Sequence, residues 1–293
     1  MKRHPCVLTL IVFLVFFALN AGESLAQPNS AAETDSSFYK IKTQDGSEFI
    51  GRIIEEDSTS LRMRTLAGIK IEIPLGRIKS RHRLNGEVVN GRYYYPDPNQ
   101  TRLLFAPTAR SLRMGQAYFS IYQIFFPMVS VGVTDMFTLS GGLSLFPAAS
   151  QQLLYFSPKL HIVGADQFDL AGGVLFLKVP FEDMGGIIYS VGSFGKPNSS
   201  LTFGLGYGFV GDKVASDPII LMGGEVRISR LAKIISENWF LPGDADFNLI
   251  TLGIRFFGES LAADVALIYP AGSGIKGFPF IPWLGFAYNF GAR

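Results

Sequence analysis

Between Gly115 and Phe290 the chain runs in segments of roughly ten residues in which a large apolar side chain occupies every second position. Phe137, Leu139, Gly141, Leu143 and Leu145 fall on one side of such a segment, and Thr138, Ser140, Gly142 and Ser144 on the other. Leu201, Phe203, Leu205, Tyr207 and Phe209 likewise oppose Thr202, Gly204, Gly206 and Gly208, and in the last segment Phe280, Pro282, Leu284, Phe286, Tyr288 and Phe290 oppose Gly285, Ala287 and Asn289. A period of two sends alternate side chains to opposite faces of a strand. Each segment therefore predicts a β-strand with one bulky apolar face and one small or polar face. The pattern predicts strands near 115–125, 127–134, 136–146, 153–163, 168–178, 184–194, 200–210, 216–228, 234–241, 247–256, 260–269 and 279–290.

A soluble β-sandwich also alternates, but its wet face is rich in Lys, Glu and Arg. Here the second face is mostly Gly, Ser and Thr, which fits a wall facing hydrocarbon around a polar or tightly filled interior. The expected fold is all-β: a transmembrane antiparallel barrel of about 12 strands, with 10 left open. Tight turns are expected at Thr134-Asp135, Gly164-Ala165-Asp166, Lys196-Pro197-Asn198 and Gly258-Glu259. Longer connections are expected at Pro147 to Gln152, Pro180 to Gly185, Gly211 to Asp217 and Pro270 to Phe278. Bacterial barrels keep their short turns in the periplasm, which would put both barrel ends there.

The residues before the barrel divide into three parts. Lys2 and Arg3 precede an apolar core from Val7 to Leu19 and the small residues Ser24-Leu25-Ala26, so 1–26 read as a secretory signal cleaved before Gln27. The single cysteine, Cys6, would leave with it. From 37 to 83, short strand-like runs separated by Asp45-Gly46 and Ala67-Gly68 predict a small β-domain of five strands. From 84 to 113, Asn85-Gly86, Asn90-Gly91, Pro96-Asp97-Pro98-Asn99 and Pro107 predict a loop-rich linker that could serve as a plug, and the barrel domain takes 114–293.

Two resemblances bear on these parts. The series Thr43-x-Asp45-Gly46, Gly51-x-Ile53, Thr65-x-x-Gly68, Ile73-Pro74 and Ile78 resembles small SH3-like or Sm-like barrels. The barrel half, entered through Phe105-Ala106-Pro107-Thr108-Ala109-Arg110 and carrying Gly132-Val133-Thr134-Asp135 at its first tight turn, resembles outer-membrane β-barrel proteins of Gram-negative bacteria. The second resemblance implies a location, the outer membrane, and a fold, and it implies no activity; the pattern of short turns would put the small domain in the periplasm with the barrel ends. Such barrels commonly end in an aromatic residue read by the barrel-assembly machinery. Phe290 stands near that place, although Gly291-Ala292-Arg293 follow it.

Charge and composition narrow the function classes. Of the 293 residues 48% are hydrophobic and 17% charged, and basic and acidic residues nearly balance at 26 and 24, so no strongly charged partner is implied. Arg77, Lys79, Arg81 and Arg83 recur at every second position and are expected to form a basic face. Sm-like relatives often bind RNA, but an exported domain meets none, and no aromatic alternates with these cations to stack bases. Lipid headgroup phosphate, the cell wall or a periplasmic protein are the partners left for this face.

On the predicted interior lie Lys159, His161, Glu225, Arg227, Glu237, Arg255 and Asp264. A charge inside a barrel must be hydrated or paired, so Glu225, Arg227, Glu237, Arg255 and Asp264 are expected to form a network that stabilises the wall and narrows any pore. Catalysis is not expected. His161 has no serine two positions away, and Ser157 lies over about 13 Å from it along a strand. No cofactor or metal site is expected, since His, Asp and Glu show no ligand spacing. Two function classes remain: a narrow channel or transporter for small solutes, and a structural anchor whose small domain contacts the cell wall or a partner.

Overall fold

The computed structural model of the chain describes residues 37–147, 149–180, 183–241, 248–272, 274 and 278–291. The expected signal segment, 1–26, lies outside them. The described residues divide into two compact units, one drawn from 37–65 and 70–83, the other from 66–69 and 84–291.

The first unit contains β1 (Phe38–Thr43), β2 (Glu48–Glu56), β3 (Ser60–Thr65), β4 (Lys70–Pro74) and β5 (Ile78–Leu84) in one sheet of order β4-β3-β2-β1-β5. Its core is Ile41, Leu61, Met63 and Ile73, with Tyr39, Phe49 and Ile53 packed around them. In the β2–β3 turn, Asp57 accepts the Thr59 hydroxyl (2.7 Å) and the N–H groups of Thr59 (2.7 Å) and Ser60 (2.8 Å). These bonds hold its carboxyl well below the usual carboxylate range. One expectation is corrected. Pro74 ends β4 and a 3-10 turn, Leu75–Arg77, follows, so Arg77 sits in that turn and only Lys79, Arg81 and Arg83 share a strand. Of these, Arg81 is paired with Glu56 at 2.7 Å.

The second unit is a closed barrel of twelve antiparallel strands. They are β8 (Gln116–Tyr122), β9 (Phe126–Gly132), β10 (Phe137–Leu143), β11 (Leu154–Ala165), β12 (Phe168–Lys178), β13 (Met184–Lys196), β14 (Ser199–Val210), β16 (Ile219–Ser229), β17 (Ala232–Phe240), β18 (Asn248–Phe257), β19 (Leu261–Ala271) and β20 (Ile281–Gly291). A two-residue strand, β15 (Lys213–Val214), folds back on the end of β14 outside the ring. The first and last strands close the ring through pairs running from Gln116↔Gly291 to Tyr122↔Gly285. Closure leaves no open edge. Every strand lies within three residues of its predicted bounds.

Both barrel termini and the connections 133–136, 166–167, 197–198, 230–231 and 258–260 lie at one end, and the connection Arg230-Leu231 was not anticipated. The other end carries, among the described residues, 123–125, 144–147, 149–153, 179–180, 183, 211–218, 241, 272, 274 and 278–280. We call these the short-turn and long-loop ends.

The alternation decides which side chains line the wall. Outward Phe119, Leu160, Phe203, Leu205, Leu252, Phe256, Val265, Leu284 and Phe286 are all exposed. Aromatic side chains on this surface gather near both ends. Phe168 and Phe194 pack with ring centroids 4.8 Å apart near the short turns, and Phe156–Phe176 (6.3 Å) and Phe176–Phe209 (5.9 Å) run from β11 to β14 near the long loops. Two aromatic belts flanking an apolar band are what a barrel needs where hydrocarbon meets headgroups.

The segment expected as a linker takes a different form. β6 (Glu87–Val89) and β7 (Arg92–Tyr94) form a hairpin across Asn90-Gly91, whose φ angles of 51° and 70° are those of the tight mirror-image turn. The chain then enters the barrel. Asp97, Asn99, Thr101, Arg102, Leu103, Leu104, Ala106, Thr108, Ala109, Arg110 and Leu112 are all buried. The segment doubles back on itself: Leu103 donates to the Ala106 carbonyl (2.8 Å), Thr108 donates to the Thr101 carbonyl (3.1 Å), and Arg102 bridges Pro107.

Candidate functional site

The site is the barrel lumen and the segment 97–112 that fills part of it. Inward positions toward the short-turn end carry the charges. Arg255 on β18 donates from Nε to Asp264 on β19 (2.7 Å) and from Nη1 to Asp97 of the plug (3.0 Å). It also donates to the plug carbonyls of Asn99 (3.0 Å), Arg102 (3.3 Å) and Leu103. Asp264 takes a second cation, Arg102 of the plug, at 2.6 Å. Asp97 takes Lys233 on β17 at 3.1 Å. Lys233 also reaches Glu225 on β16 at 3.1 Å, and Glu225 meets plug Arg110 at 3.3 Å. One continuous chain of ion pairs thus runs wall to plug to wall. Arg102, Asp97, Lys233, Glu225, Arg255 and Asp264 are all at most 2% exposed.

Neutral bonds reinforce it. Asn99 and Asn289 exchange amide hydrogen bonds at 2.9 and 3.3 Å, Ala109 N–H donates to Ser193 Oγ (3.0 Å), and Leu112 N–H donates to Thr138 Oγ1 (3.0 Å). A buried charge is tolerated only when its partners and remaining lone pairs are all satisfied, and this arrangement meets that condition for the carboxylates.

The seven interior residues anticipated from the sequence all stand on the inner face, in different company. Glu225, Arg255 and Asp264 belong to the ion-pair chain: Arg255 pairs directly with Asp264, Glu225 is joined to them through Lys233 and Asp97, and Arg102 and Arg110 of the plug end the chain. Glu237 stands apart, accepting the N–H groups of Phe105 (2.9 Å) and Ala106 (3.0 Å) and the Trp239 indole (2.8 Å). Arg227 also stands apart, bound to the carbonyls of Tyr95 (2.8 Å) and Arg230 (2.6 Å) and to Asn198 (3.0 Å), with its guanidinium over Phe257. Lys159 donates to three plug carbonyls, Thr101 (3.1 Å), Thr108 (3.0 Å) and Arg110 (2.6 Å). His161 meets Asp169 at 3.0 Å. Asp97, Arg102, Arg110, Asp169 and Lys233 were not anticipated.

Toward the long-loop end the inner wall changes character. The plug's turn ends at Phe105, which packs edge-on to Tyr122 (5.5 Å) and against Trp283 (6.2 Å). Beside it lies a cavity of about 100 Å³ bordered by Thr101, Arg102 and Lys159 and by apolar Leu175, Ile187, Leu221 and Trp239. The inner face was expected to be small or polar. These bulky apolar positions depart from that expectation, and inward Gly204 and Gly206 supply the space. Among the described residues no group of three or more His, Cys, Asp or Glu is placed to hold a metal ion.

A closed twelve-strand β-barrel filled in part by its own preceding segment is the class of protein that these elements define. No family model matches the chain, and no curated protein matches it. Solved structures share the barrel at low similarity. The KdgM porin in complex with disordered oligogalacturonate is 10% identical with a TM-score of 0.47, covering 60% of this chain and 98% of that one. The NanC porin is 9% identical with a TM-score of 0.41, covering 60% and 97%. The outer membrane protein Omp33 of Acinetobacter baumannii is 6% identical with a TM-score of 0.37, covering 61% and 96%.

Proposed function

We propose that the protein is an outer-membrane barrel acting as a channel or transporter for small solutes, held shut in this conformation by residues 97–112. The short-turn end faces the periplasm in this reading, and the small domain belongs to that compartment. Strand order β4-β3-β2-β1-β5 supports an SH3-like fold for that domain, and Lys79, Arg81 and Arg83 suit contact with the cell wall or a periplasmic protein. The closed ring, the exposed apolar band and the paired aromatic belts support insertion in a membrane. No catalytic step forms part of the proposal.

One observation carries the channel reading: beside apolar Ile235, Ala266, Ala171 and Val191, much of the wall behind the plug is made of buried polar and charged side chains. Ser120, Ser130, Thr138, Ser193, Ser200, Thr202, Glu225, Lys233, Arg255 and Asp264 all face the lumen and are buried beneath it. A barrel filled for good is stabilised as well or better by apolar packing than by buried ion pairs. A wall that water can take over when the plug moves has to carry polar groups. The test is single-channel recording in planar bilayers of the full chain and of a chain lacking 97–112. The channel reading predicts rare or absent steps from the first and steady ion steps from the second. Silence from the folded deletion variant would leave the anchor reading in its place.

A further inference from the structure

Four apolar side chains that face the lumen take no part in the ion-pair chain. Leu175 on β12 pairs with Ile187 on β13, and Leu221 on β16 pairs with Trp239 on β17. Between the two pairs runs β14, which presents Gly204 and Gly206 to the lumen there. The neighbours lean over these glycines: a Cβ at Gly206 would meet Ile187 Cγ2 at 2.8 Å, and one at Gly204 would meet Leu221 Cβ at 3.1 Å. The inner wall is therefore a continuous apolar face across these strands. All four side chains lie in the long-loop halves of their strands and border the cavity of about 100 Å³, which is only partly enclosed. Phe105, at the plug's turn, borders the same space and is 40% exposed.

That border offers a ligand no free charge. Among the described residues only Arg102 and Lys159 bring charge to it. Nε and Nη2 of Arg102 and the Thr101 hydroxyl are buried out of its reach, and Arg102 Nη1 is spent on Asp264 and on the carbonyls of Leu103 and Leu104. Lys159 gives its three ammonium protons to the carbonyls of Thr101, Thr108 and Arg110. Thr138 and Ser140 are engaged by the Leu112 N–H and by Ser130. A charged molecule would leave its hydration shell here and find no partner, whereas an apolar one is favoured by the area it buries. An engineered apolar cavity of roughly 150 Å³ stays dry and accepts a benzene ring. The volume here, about 100 Å³, therefore suits one ring or a short alkyl chain. We propose that this cavity binds an uncharged apolar molecule of about that size, held against Leu221, Ile187 and Trp239 and over Phe105. This deepens the channel reading, on which it rests, by naming the class of solute that the closed lumen holds.

The chain has two tryptophans, Trp239 on the cavity and Trp283 packed on Phe105. Trp283→Phe loses no hydrogen bond, since the Trp283 indole N–H has no partner among the described residues, and it leaves Trp239 as the sole indole. Bromine quenches an indole on contact. The full chain carrying Trp283→Phe is titrated in lipid nanodiscs with bromobenzene and, in parallel, with 4-bromobenzoate. The expected result is saturable quenching by bromobenzene, with 4-bromobenzoate weaker by about tenfold or more. Leu221→Phe fills the cavity and Ile187→Asn makes its wall polar, and each weakens the saturable quenching several-fold in protein whose heat-modifiable gel band shows a folded barrel. Bromobenzene dissolved in the bilayer adds only a non-saturating rise that both variants leave unchanged. Equal quenching by ring and acid, quenching that never saturates, or indifference to both variants overturns the proposal. Quenching reads occupancy without current. Binding with no conductance from the plug-deleted chain therefore overturns only the channel reading, and conductance without saturable quenching overturns only this one.

Discussion

Arg255→Ala removes the centre of the ion-pair chain. Taking one member out of a buried pair costs about 3–5 kcal/mol when the other is stranded. Here neither carboxylate is stranded, since Asp264 keeps Arg102 at 2.6 Å and Asp97 keeps Lys233 at 3.1 Å. What remains is the loss of donors to three plug carbonyls: that of Arg102, at about 1–3 kcal/mol if it stays dry, and those of Asn99 and Leu103, which keep the Arg102 N–H (3.3 Å) and Arg102 Nη1 (3.1 Å), at about 0.5–1.5 kcal/mol each. With water entering the space the guanidinium leaves, the net is about 3 kcal/mol. The strands pair through their own backbones, so the loss falls on docking of the plug rather than on the barrel. At 1.4 kcal/mol per factor of ten, the undocked population rises about a hundredfold. Lys233→Ala has a comparable effect, because Asp97 then keeps Arg255 and Glu225 keeps Arg110. The double variant strips Asp97 of both cations. Its cost exceeds the sum of the singles by about 0.5–3 kcal/mol. The assay is open probability in planar bilayers, with the fraction of heat-modifiable folded barrel as the control. Additivity within about 0.3–0.5 kcal/mol, or wild-type silence from both singles and the double, would refute the account of the network.

Other expected outcomes test separate parts of the molecule. Gly223→Val puts a Cβ 2.4 Å from Leu103 Cδ1 of the plug and 2.7 Å from the Ser236 carbonyl, so it should weaken docking by about 1–3 kcal/mol and raise open probability without dissolving the barrel. Leu61→Ala, in the fully buried core of the five-stranded sheet, should cost about 2–5 kcal/mol. A domain of that size has little stability to lose. Trypsin should then digest 37–83 while the barrel band survives on a gel, and an unchanged digestion rate would count against the packing described. Asn289→Ala removes the amide pair that ties Asn99 to β20 and should loosen the plug by about 1–2 kcal/mol, read as faster labelling of a cysteine placed at the buried plug residue Ala106.

The barrel was legible because its constraint is local. An outward residue faces one environment along its whole strand, and Phe203, Leu205 and Tyr207 announce it at every second position. The same parity put Glu225, Arg255 and Asp264 on the inner face. Lys233 escaped because β17 alternates weakly: Ile234 and Ile235 are both apolar, and outward Ser236 and Asn238 satisfy themselves on the Thr251 carbonyl and the Met222 carbonyl. Asp169 escaped because β12 carries leucines on both faces. The plug has no period at all. Its contacts join positions as far apart in sequence as Asn99 and Asn289, which no local pattern carries. The one cue was composition, since Leu103-Leu104-Phe105-Ala106 beside Arg102 is an unlikely sequence to leave in water.

Thr202 and Phe203 are neighbours on β14 that face opposite sides of the wall, so a reporter at each reads the barrel's two environments directly. An environment-sensitive dye is attached to Thr202→Cys or Phe203→Cys in the protein reconstituted in bilayers. Phe203→Cys should label readily, emit as in hydrocarbon and be quenched by nitroxide carried on lipid tails. Thr202→Cys should resist a charged thiol reagent until 97–112 are deleted, and should not be quenched by the lipid. Equal lipid quenching at both positions, or labelling of Thr202→Cys in the intact chain at the rate of an exposed thiol, would contradict a filled lumen behind a lipid-facing wall.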